Sequence, residues 1–271
     1  MMPMQYITEW RNEVLWQDDA MVEQDLIISR ALIEIFGNDH LKHALAFRGG
    51  TALHKLYFNP AGRYSEDLDL VQVKPAPIGE IFDHIRSVLD PWLGKPQRKL
   101  KEGRANLYYR YPQEGKTAIN MRLKIEINTR EHFSVIPYQS IPFKIDNQWY
   151  QGTANINSFH FNELIATKFR ALYQRKKGRD LFDIWLATQN PQFSASEVLK
   201  CFSKYMAFEN KKISRAEFEK NLSLKLQDPI FVTDIEPLLS SKNEWNVKNA
   251  YTIVHNVLIV NLPGEPWAGS E

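Results

Sequence analysis

The sequence predicts an α+β protein in which an N-terminal domain with a mixed sheet precedes a C-terminal helical bundle. Strand-like and helical segments alternate up to about residue 155, and only helical segments follow. The chain of 271 residues is long enough for two domains, and its hydrophobic content of 44% can supply their cores. We therefore expect a first domain at residues 1–155, a helical domain at 156–262 and a flexible tail at 263–271.

The N-terminal elements follow from apolar spacing and from glycine positions. Apolar residues at helical spacing predict a helix over residues 21–36, with Gly37 placed to end it. A short strand over 44–47 then runs into Gly49-Gly50. The later predicted elements are a helix at 51–58, a strand at 66–73, a helix at 77–93 and extended segments at 106–111, 117–128 and 133–143.

The C-terminal part of the chain has only helical patterns. They cover residues 162–174, 179–188, 194–208, 214–227 and 247–259. Ser194 with Glu197, and Ser214 with Glu217, have the spacing of capping boxes.

The composition excludes several classes of protein. The single cysteine, Cys201, excludes an internal disulfide framework, and the net charge of +2 does not by itself indicate a nucleic-acid partner. No apolar run approaches the ~20 residues needed to cross a bilayer, and the charged residues in 1–20 are incompatible with a signal peptide. We expect a soluble cytoplasmic protein without a membrane partner.

Two carboxylates are the first candidate for chemistry. Asp67 and Asp69 alternate with apolar residues in a strand pattern, so both side chains leave the same face. At about 5 Å and an effective dielectric constant of ~20, their repulsion is on the order of 3 kcal/mol. A divalent cation relieves such repulsion, and magnesium is the usual partner of oxygen ligands.

A glycine pair and a charged strand extend this candidate site. Gly49 and Gly50 allow a phosphate to approach the backbone at the start of a helix, where Thr51 adds a hydroxyl; an ordinary turn is the alternative. In the segment 117–128, Lys124 and Glu126 share one face. If that strand neighbours the two aspartates, Glu126 is the third carboxylate of a two-metal site; the alternative is a solvated strand face.

In combination, four motifs resemble the AbiEii/AbiGii toxin family of DNA polymerase β-like nucleotidyltransferases. They lie in order between residues 45 and 190: Gly49-Gly50-Thr51-Ala52-Leu53, Arg63-Tyr64-Ser65-Glu66-Asp67-Leu68-Asp69, Leu123-Lys124-Ile125-Glu126, and Lys168 with Arg179-Asp180-Leu181-Phe182-Asp183. The resemblance implies a polymerase-β-like nucleotidyltransferase domain, a helical second domain and a toxin of a toxin–antitoxin or phage-defence system, with a cognate antitoxin.

The resemblance also implies a metal-dependent transfer of a nucleoside monophosphate from a nucleoside triphosphate to a hydroxyl, with the 3′ end of tRNA as the acceptor. Asp67, Asp69 and Glu126 would hold magnesium, or manganese in its place, and act in catalysis with Lys168. The implied nucleotide-binding residues are Gly49, Gly50, Thr51, Ser65, Lys124, Lys168, Asp180 and Asp183. For Asp180 an ion pair with Arg179 is the structural alternative, and Asp183 likewise stays open between catalysis and structure.

Several features keep alternatives open. Lys168 and Arg175 share a helix face that suits phosphate, whereas Lys176 and Lys177 fit a solvated helix end closed by Gly178. A further segment combines basic and aromatic residues and suits RNA, but such a segment is more often a charged loop followed by an amphipathic strand: Arg98, Lys99, Lys101, Arg104, Tyr108, Tyr109 and Tyr111. Three histidines lack zinc spacing and are expected to be structural or superficial: His54, His132 and His160.

Two rival functions remain at this level. The acceptor of the nucleotide can be a small molecule, such as an aminoglycoside, or a protein side chain. The chain can also be an inactive module that binds the triphosphate and works through a protein partner. Substrate screening separates the first rival, and nucleotide binding without pyrophosphate release identifies the second.

Overall fold

The computed structural model of the protein describes residues 2–240 and 245–269, without the side chains of 116–119. Residues 270 and 271 of the predicted tail lie outside the described residues. The chain divides into two compact units, Met1–Phe159 and His160–Glu271. The first unit contains a sheet with helices, and the described part of the second contains helices and loops, which confirms the predicted α+β class.

The first unit combines five helices with seven strands in its described part. Its helices are α1 (Met4–Trp10), α2 (Asp19–Gly37), α3 (Asp39–Ala44), α4 (Gly49–Leu56) and α5 (Ile78–Leu93). Its strands are β1 (Leu45–Arg48), β2 (Asp67–Gln72), β3 (Gln97–Lys101), β4 (Arg104–Gln113), β5 (Lys116–Asn128), β6 (Gln139–Asn147) and β7 (Tyr150–Ser158).

The strands form one mixed sheet in the order β3-β4-β5-β2-β1-β7-β6. At its centre β2 pairs in parallel with β5 and antiparallel with β1. The strand β1 also runs parallel to β7, and the two edges are built from antiparallel pairs. The three central strands are therefore those that lead into the glycine turn and carry the predicted carboxylates.

Alternation along β2 separates the core from the polar face. Leu68 and Leu70 are buried, whereas Asp67 and Asp69 are only partly buried. The helix α2 packs against the sheet through contacts with β7, and its first turn is capped by the Asp18 side chain, which accepts from the Ala20 amide. Apolar burial thus fixes the sheet and leaves the aspartates on its other face.

The sheet contains two strands that the sequence pattern did not predict. The edge strand β3 is exposed throughout and contains a single apolar residue, Leu100, so it has no apolar alternation to detect. The strand β7 is likewise rich in small polar residues. The predicted segment 133–143 is wrong in its first half, because β6 begins at Gln139, after Pro137.

The second unit is helical in its described part. Its helices are α6 (Phe161–Gln174), α7 (Gly178–Ala187), α8 (Ala195–Phe208), α9 (Arg215–Leu226), α10 (Pro229–Thr233) and α11 (Val247–Val257). Phe169 of α6 lies at the centre of its core, with ring centroids 4.8 Å from Phe202 and 4.4 Å from Phe218. Aromatic packing of this kind holds α6, α8 and α9 together.

Two predictions about helix ends in the second unit differ from the structure: the role of Gly178 and the capping box of Ser194 with Glu197. Gly178 does not end α6, which is capped at Arg175; it begins α7, where a Cβ would overlap the Phe231 carbonyl oxygen. Ser214 forms the full predicted capping box. Ser194 forms only half of one, because the carboxylate of Glu197 accepts from Asn162 Nδ2 at 2.7 Å.

Among residues 2–240 and 245–269, every helix is too short or too polar to cross a membrane.

Candidate active site

The Gly49-Gly50 turn joins β1 to α4 and makes room for side chains from neighbouring segments. Gly49 has a φ of +84°, a left-handed conformation that glycine adopts without strain. A Cβ at Gly49 would overlap Oδ2 of Asp69. A Cβ at Gly50 would overlap the Arg63 guanidinium and lie 3.3 Å from Ser65 Oγ. The two glycines thus bring the backbone against the polar groups of β2 and of the loop that precedes it.

Strand register brings the predicted carboxylates onto adjacent strands. In the parallel pair of β2 and β5, Asp67 lies opposite Lys124, and Asp69 lies opposite Glu126. The predicted adjacency of the two strands is confirmed. On the other side of β2, Asp69 lies opposite Arg48, the last residue of β1. Side chains with these registers leave the same face of the sheet, because each pair occupies equivalent positions in the pleat.

Lys124 is the cation between two of the carboxylates. Its Nζ lies 2.9 Å from Glu126 Oε2 and 3.4 Å from Asp67 Oδ2. Burial alone would lower its pKa, but the hydrogen bond to Glu126 and the charge of Asp67 raise it. Lys124 is therefore held in its charged form by the acidic groups of the site.

Asp67 and Asp69 are poorly compensated in the protein alone. Burial raises the pKa of Asp67, although the Lys124 ammonium opposes the shift. Burial also raises the pKa of Asp69; Arg48 lowers it, and the charge of Asp67 raises it further. The neighbouring cations therefore do not offset the effect of burial on the two carboxyl groups.

The donor set of this face fits a hard divalent cation. Asp67, Asp69 and Glu126 supply only oxygen ligands, which are those that magnesium and manganese prefer. Burial raises the pKa of both aspartates, and a cation beside them would favour their ionised forms. In the described residues the three carboxylates do not converge within 4.8 Å of one another, so an ion would draw their side chains together.

The hydroxyl groups predicted to bind phosphate also hold the strand in place. Thr51 is buried, and its hydroxyl hydrogen-bonds to the Asp67 carbonyl oxygen and lies 2.8 Å from Ser65 Oγ. Both hydroxyls line a cavity of about 360 Å³ whose wall also includes the Lys55–Asp25 ion pair at 2.9 Å. Thr51 therefore fixes the start of β2 against α4, and the cavity gives space beside these hydroxyls.

The fourth motif forms a buried charge cluster within the second unit. Lys168 Nζ lies 2.8 Å from Asp183 Oδ2 and 3.4 Å from Asp180 Oδ1, and both carboxylates are fully buried. Arg175 donates two hydrogen bonds to Asp180, at 2.7 and 2.8 Å. Burial would raise the pKa of Asp180, but Lys168 and Arg175 together lower it. Lys168 and Arg175 thus both contact the carboxylate of Asp180 in this structure.

The ion-pair alternative for Arg179 and Asp180 is wrong, whereas Lys176 and Lys177 are about half exposed and also contact acidic residues. Arg179 does not pair with Asp180; its Nε lies 3.5 Å from Asp234, which also accepts from the Arg179 amide at 3.2 Å. Lys176 and Lys177 are not simply solvated, because Lys176 contacts Asp228 and Lys177 lies 3.3 Å from Asp234. These contacts attach the segment between α6 and α7 to the region of α10.

The basic and aromatic segment falls on the β3–β4 hairpin, and only part of it is exposed. Tyr109 and Tyr111 are buried, and their hydroxyls donate to Asp90 and Gln24. They are therefore unavailable for stacking on RNA bases. Tyr108 points to the opposite face, where the Arg122 guanidinium lies 5.5 Å from its ring.

The three histidines without zinc spacing have structural surroundings. His54 is buried near the Phe58 ring, and His132 Nδ1 lies 2.8 Å from the Gln72 carbonyl oxygen. His160 caps α6 by accepting from the Asn162 amide. Their expected structural role is confirmed.

Sequence reasoning missed an ion pair that borders the site. Arg48 donates to Glu131 Oε2 at 2.7 Å while facing Asp69 in the strand register. Asn128 Nδ2 also lies 3.3 Å from Glu131. The only sequence signal was the arginine directly before the glycine pair, because Glu131 lies 83 residues away.

Comparisons with known proteins agree with this geometry. The model of a family described as "Nucleotidyl transferase AbiEii toxin, Type IV TA system" matches residues 30–253. The structure of JHP933 from Helicobacter pylori is similar, with 18% identity and a TM-score of 0.58, covering 89% of this chain and 90% of that one. MenT4, a nucleotidyltransferase toxin from Mycobacterium tuberculosis H37Rv, is 14% identical with a TM-score of 0.57, covering 94% and 99%. A comparison with curated proteins found no match.

The fold and the carboxylate face define a nucleotidyltransferase. The family match covers most of the chain, and the structural likeness extends over both units. The protein belongs to the AbiEii family of nucleotidyltransferase toxins of type IV toxin–antitoxin systems. Membership implies a nucleoside triphosphate substrate and an antitoxin partner.

Proposed function

We propose that this toxin transfers a nucleoside monophosphate to the 3′ end of tRNA in a magnesium-dependent reaction, with manganese as a substitute. The observation that carries the proposal is the register of β2 and β5, which sets Asp69 beside Glu126 and Asp67 beside Lys124. Three carboxylates on one face supply the oxygen ligands that a divalent cation prefers, and this donor set supports the proposal.

In the proposed reaction the acceptor hydroxyl attacks the α-phosphorus of the triphosphate. A new bond forms between the acceptor oxygen and the α-phosphorus. The bond between the α-phosphorus and the oxygen that bridges it to the β-phosphate breaks, and pyrophosphate leaves with the electron pair of that bond. The hydroxyl proton passes to a carboxylate, for which Glu126 is the proposed base, and then to solvent. Asp67, Asp69 and Glu126 would hold the magnesium ion, which when bound would neutralise negative charge that develops in the reaction.

The triphosphate is proposed to lie at the glycine turn. Backbone amides at the start of α4 point toward such an anion, and Gly49 and Gly50 keep side chains away from it. Ser65, next to Thr51 at 2.8 Å, offers a hydroxyl to a phosphate oxygen. Lys124 is the proposed ammonium partner, because acidic contacts keep it charged.

Lys168, Asp180 and Asp183 are also proposed to contribute to nucleotide binding. A buried ion cluster is weak as a source of stability, since desolvation offsets most of its attraction. Buried titratable groups with shifted pKa values are frequent at functional sites, and Asp180 is one of them. Lys168 is the member that we propose to act in catalysis.

The biological setting is also a proposal. Modification of tRNA by this chain would stop translation in the cytoplasm, where both proposed substrates occur. Neutralisation by the family's antitoxin would restore growth, and release of the toxin during infection would serve phage defence.

The test combines labelled triphosphates, magnesium and total RNA with purified protein. We expect a labelled tRNA band, and we expect Asp67→Ala and Asp69→Ala to abolish it. Asp146→Asn is the matched control, because Asp146 is an exposed aspartate of the same unit that pairs with Lys144 at 2.8 Å. Activity retained in either active-site variant would refute the assignment.

A second arm identifies the acceptor group. Periodate converts the 3′-terminal diol of RNA to a dialdehyde, so oxidised tRNA should not become labelled. Equal labelling of oxidised tRNA excludes the 3′ end. Pyrophosphate release without RNA labelling identifies a small-molecule or protein acceptor instead.

A further inference from the structure

A cluster of two histidines and a glutamate lies on the first unit, apart from the carboxylate face. One ligand atom from each of His40, Glu80 and His84 lies within 4.8 Å of the other two. His40 belongs to α3, whereas the other two belong to α5. Among the residues that the structure describes, this is the one group of three such ligands that converges so closely.

The cluster is built from helix geometry. Glu80 and His84 are four residues apart on α5, so their side chains lie on the same face. The His40 Nδ1 lies 3.6 Å from Glu80 Oε1, and the rings of His40 and His84 stack with centroids 4.3 Å apart. The three side chains of α3 and α5 are therefore close enough to share one ion before the ion binds.

The backbone positions of the three residues are fixed by buried neighbours. Leu41, which follows His40, is fully buried, and the Asn38 side chain accepts from the His40 amide at 3.0 Å. On α5, Ile81 and Ile85 are buried next to Glu80 and His84. The side chains themselves are partly or largely exposed, so the imidazole rings can rotate until their nitrogens converge.

From this arrangement we propose that His40, Glu80 and His84 form a zinc-type metal site that joins α3 to α5. Two imidazole nitrogens and one carboxylate oxygen are a ligand set for zinc, whereas magnesium prefers oxygen alone. Water completes the fourth position. The ion would be structural: α3 leads directly into β1 and the glycine turn, so a link to α5 stabilises the first unit.

Two kinds of competing zinc ligand, the thiol and the active-site carboxylates, are weak or occupied under the conditions of the test. The single thiol, Cys201, is buried, and burial raises its pKa to about 12, so it is a poor thiolate donor. The carboxylates at the active site are oxygen donors that excess magnesium can occupy. A zinc titration in excess magnesium therefore reports the histidine cluster.

The test is calorimetric titration of the full chain with zinc chloride in excess magnesium, repeated in an Asp67→Asn/Asp69→Asn background. We expect one site per chain in both. His40→Ala and His84→Ala should each weaken zinc binding at least about tenfold, which is ~1.4 kcal/mol. His43→Ala is the matched control, because His43 is an exposed residue of α3 outside the cluster, and it should bind zinc as the wild type does.

A second measurement separates loss of ligands from loss of folding. Without metal, the two histidine variants should unfold at the wild-type temperature, since both rings are at the surface. With zinc, the melting temperature of the wild type should rise and that of His84→Ala should not. Absence of zinc binding in excess magnesium, or equal affinity in wild type and His84→Ala, overturns the proposal.

Discussion

Replacing Gly49 by alanine tests two roles of the glycine turn. One is the left-handed backbone conformation, and the other is the close approach of the backbone to Asp69. The φ of +84° makes any L side chain strained there, at a cost of about 1–2 kcal/mol in the free energy of unfolding. The new Cβ would also lie 2.9 Å from Asp69 Cβ and 3.0 Å from Cγ, and it would overlap Oδ2. Ordinary contacts of a Cβ begin at 3.4 Å. Relief of the overlap therefore requires a shift of the carboxylate on the order of 1 Å, the size that costs ~10²-fold in rate.

Gly94 provides the matched control for this strain. Its φ is +75°, and nothing lies within 4 Å of the position of its Cβ. Gly94→Ala should thus also lower the unfolding free energy through backbone strain, by about 1–3 kcal/mol, without displacing a site residue. The difference in activity between the two variants isolates the displacement of Asp69.

The assay is magnesium-dependent pyrophosphate release, read with urea unfolding of the same preparations. We expect Gly49→Ala to lose about 100-fold in kcat/KM, and Gly94→Ala to keep the wild-type value within a factor of about two. If Gly49→Ala is as active as Gly94→Ala, Asp69 does not need its observed position, and the argument from close approach is wrong.

Three further predictions concern charge and capping. Lys168→Met removes the ammonium beside buried Asp183 and should cost about 3–5 kcal/mol in unfolding free energy, against at most about 1 kcal/mol for the more exposed Lys176→Met; equal losses in urea would contradict this. Asp69 has a raised pKa, so its ionisation opposes folding as pH rises above its usual range. At pH 7 Asp69→Asn should be more stable than wild type in EDTA and gain less from magnesium; lower stability in EDTA would refute this sign. Ser214→Ala should cost about 1 kcal/mol by loss of the capping box, and unchanged thermal unfolding would exclude that contribution.

The sequence predicted the elements of the site better than their pairing. The glycine turn, the alternation through Asp67 and Asp69 and the polar face at Lys124 and Glu126 are local patterns, and each lies on the expected element. Their adjacency depends on β2 and β5 being neighbours across more than 50 residues, which no local pattern determines. The motif combination supplied that information through family resemblance.

Local patterns at Ser194 and along β4 left the roles of the residues incompletely determined. Ser194 and Glu197 have capping-box spacing, but Asn162 is buried beside them and takes the carboxylate as its own partner. Tyr109 and Tyr111 look like stacking residues in sequence, but strand alternation turns both into the core. For Ser194 a distant partner, Asn162, prevents the full capping box, whereas for the two tyrosines the structure agrees with the amphipathic-strand alternative.

The position of Lys124 gives a physical reason why the proposed metal ion and triphosphate would affect each other's binding. The ammonium lies between Asp67 and Glu126, whereas no lysine lies opposite Asp69 in either strand register. In the protein alone, Lys124 therefore lowers the repulsion among the carboxylates and keeps the strands paired. Under the proposed function, a divalent ion held by Asp69 and Glu126 would compete with the Lys124 ammonium for Glu126, because the ion carries the larger charge. Lys124 would then be available to a phosphate oxygen, so the metal and the triphosphate would favour each other's binding.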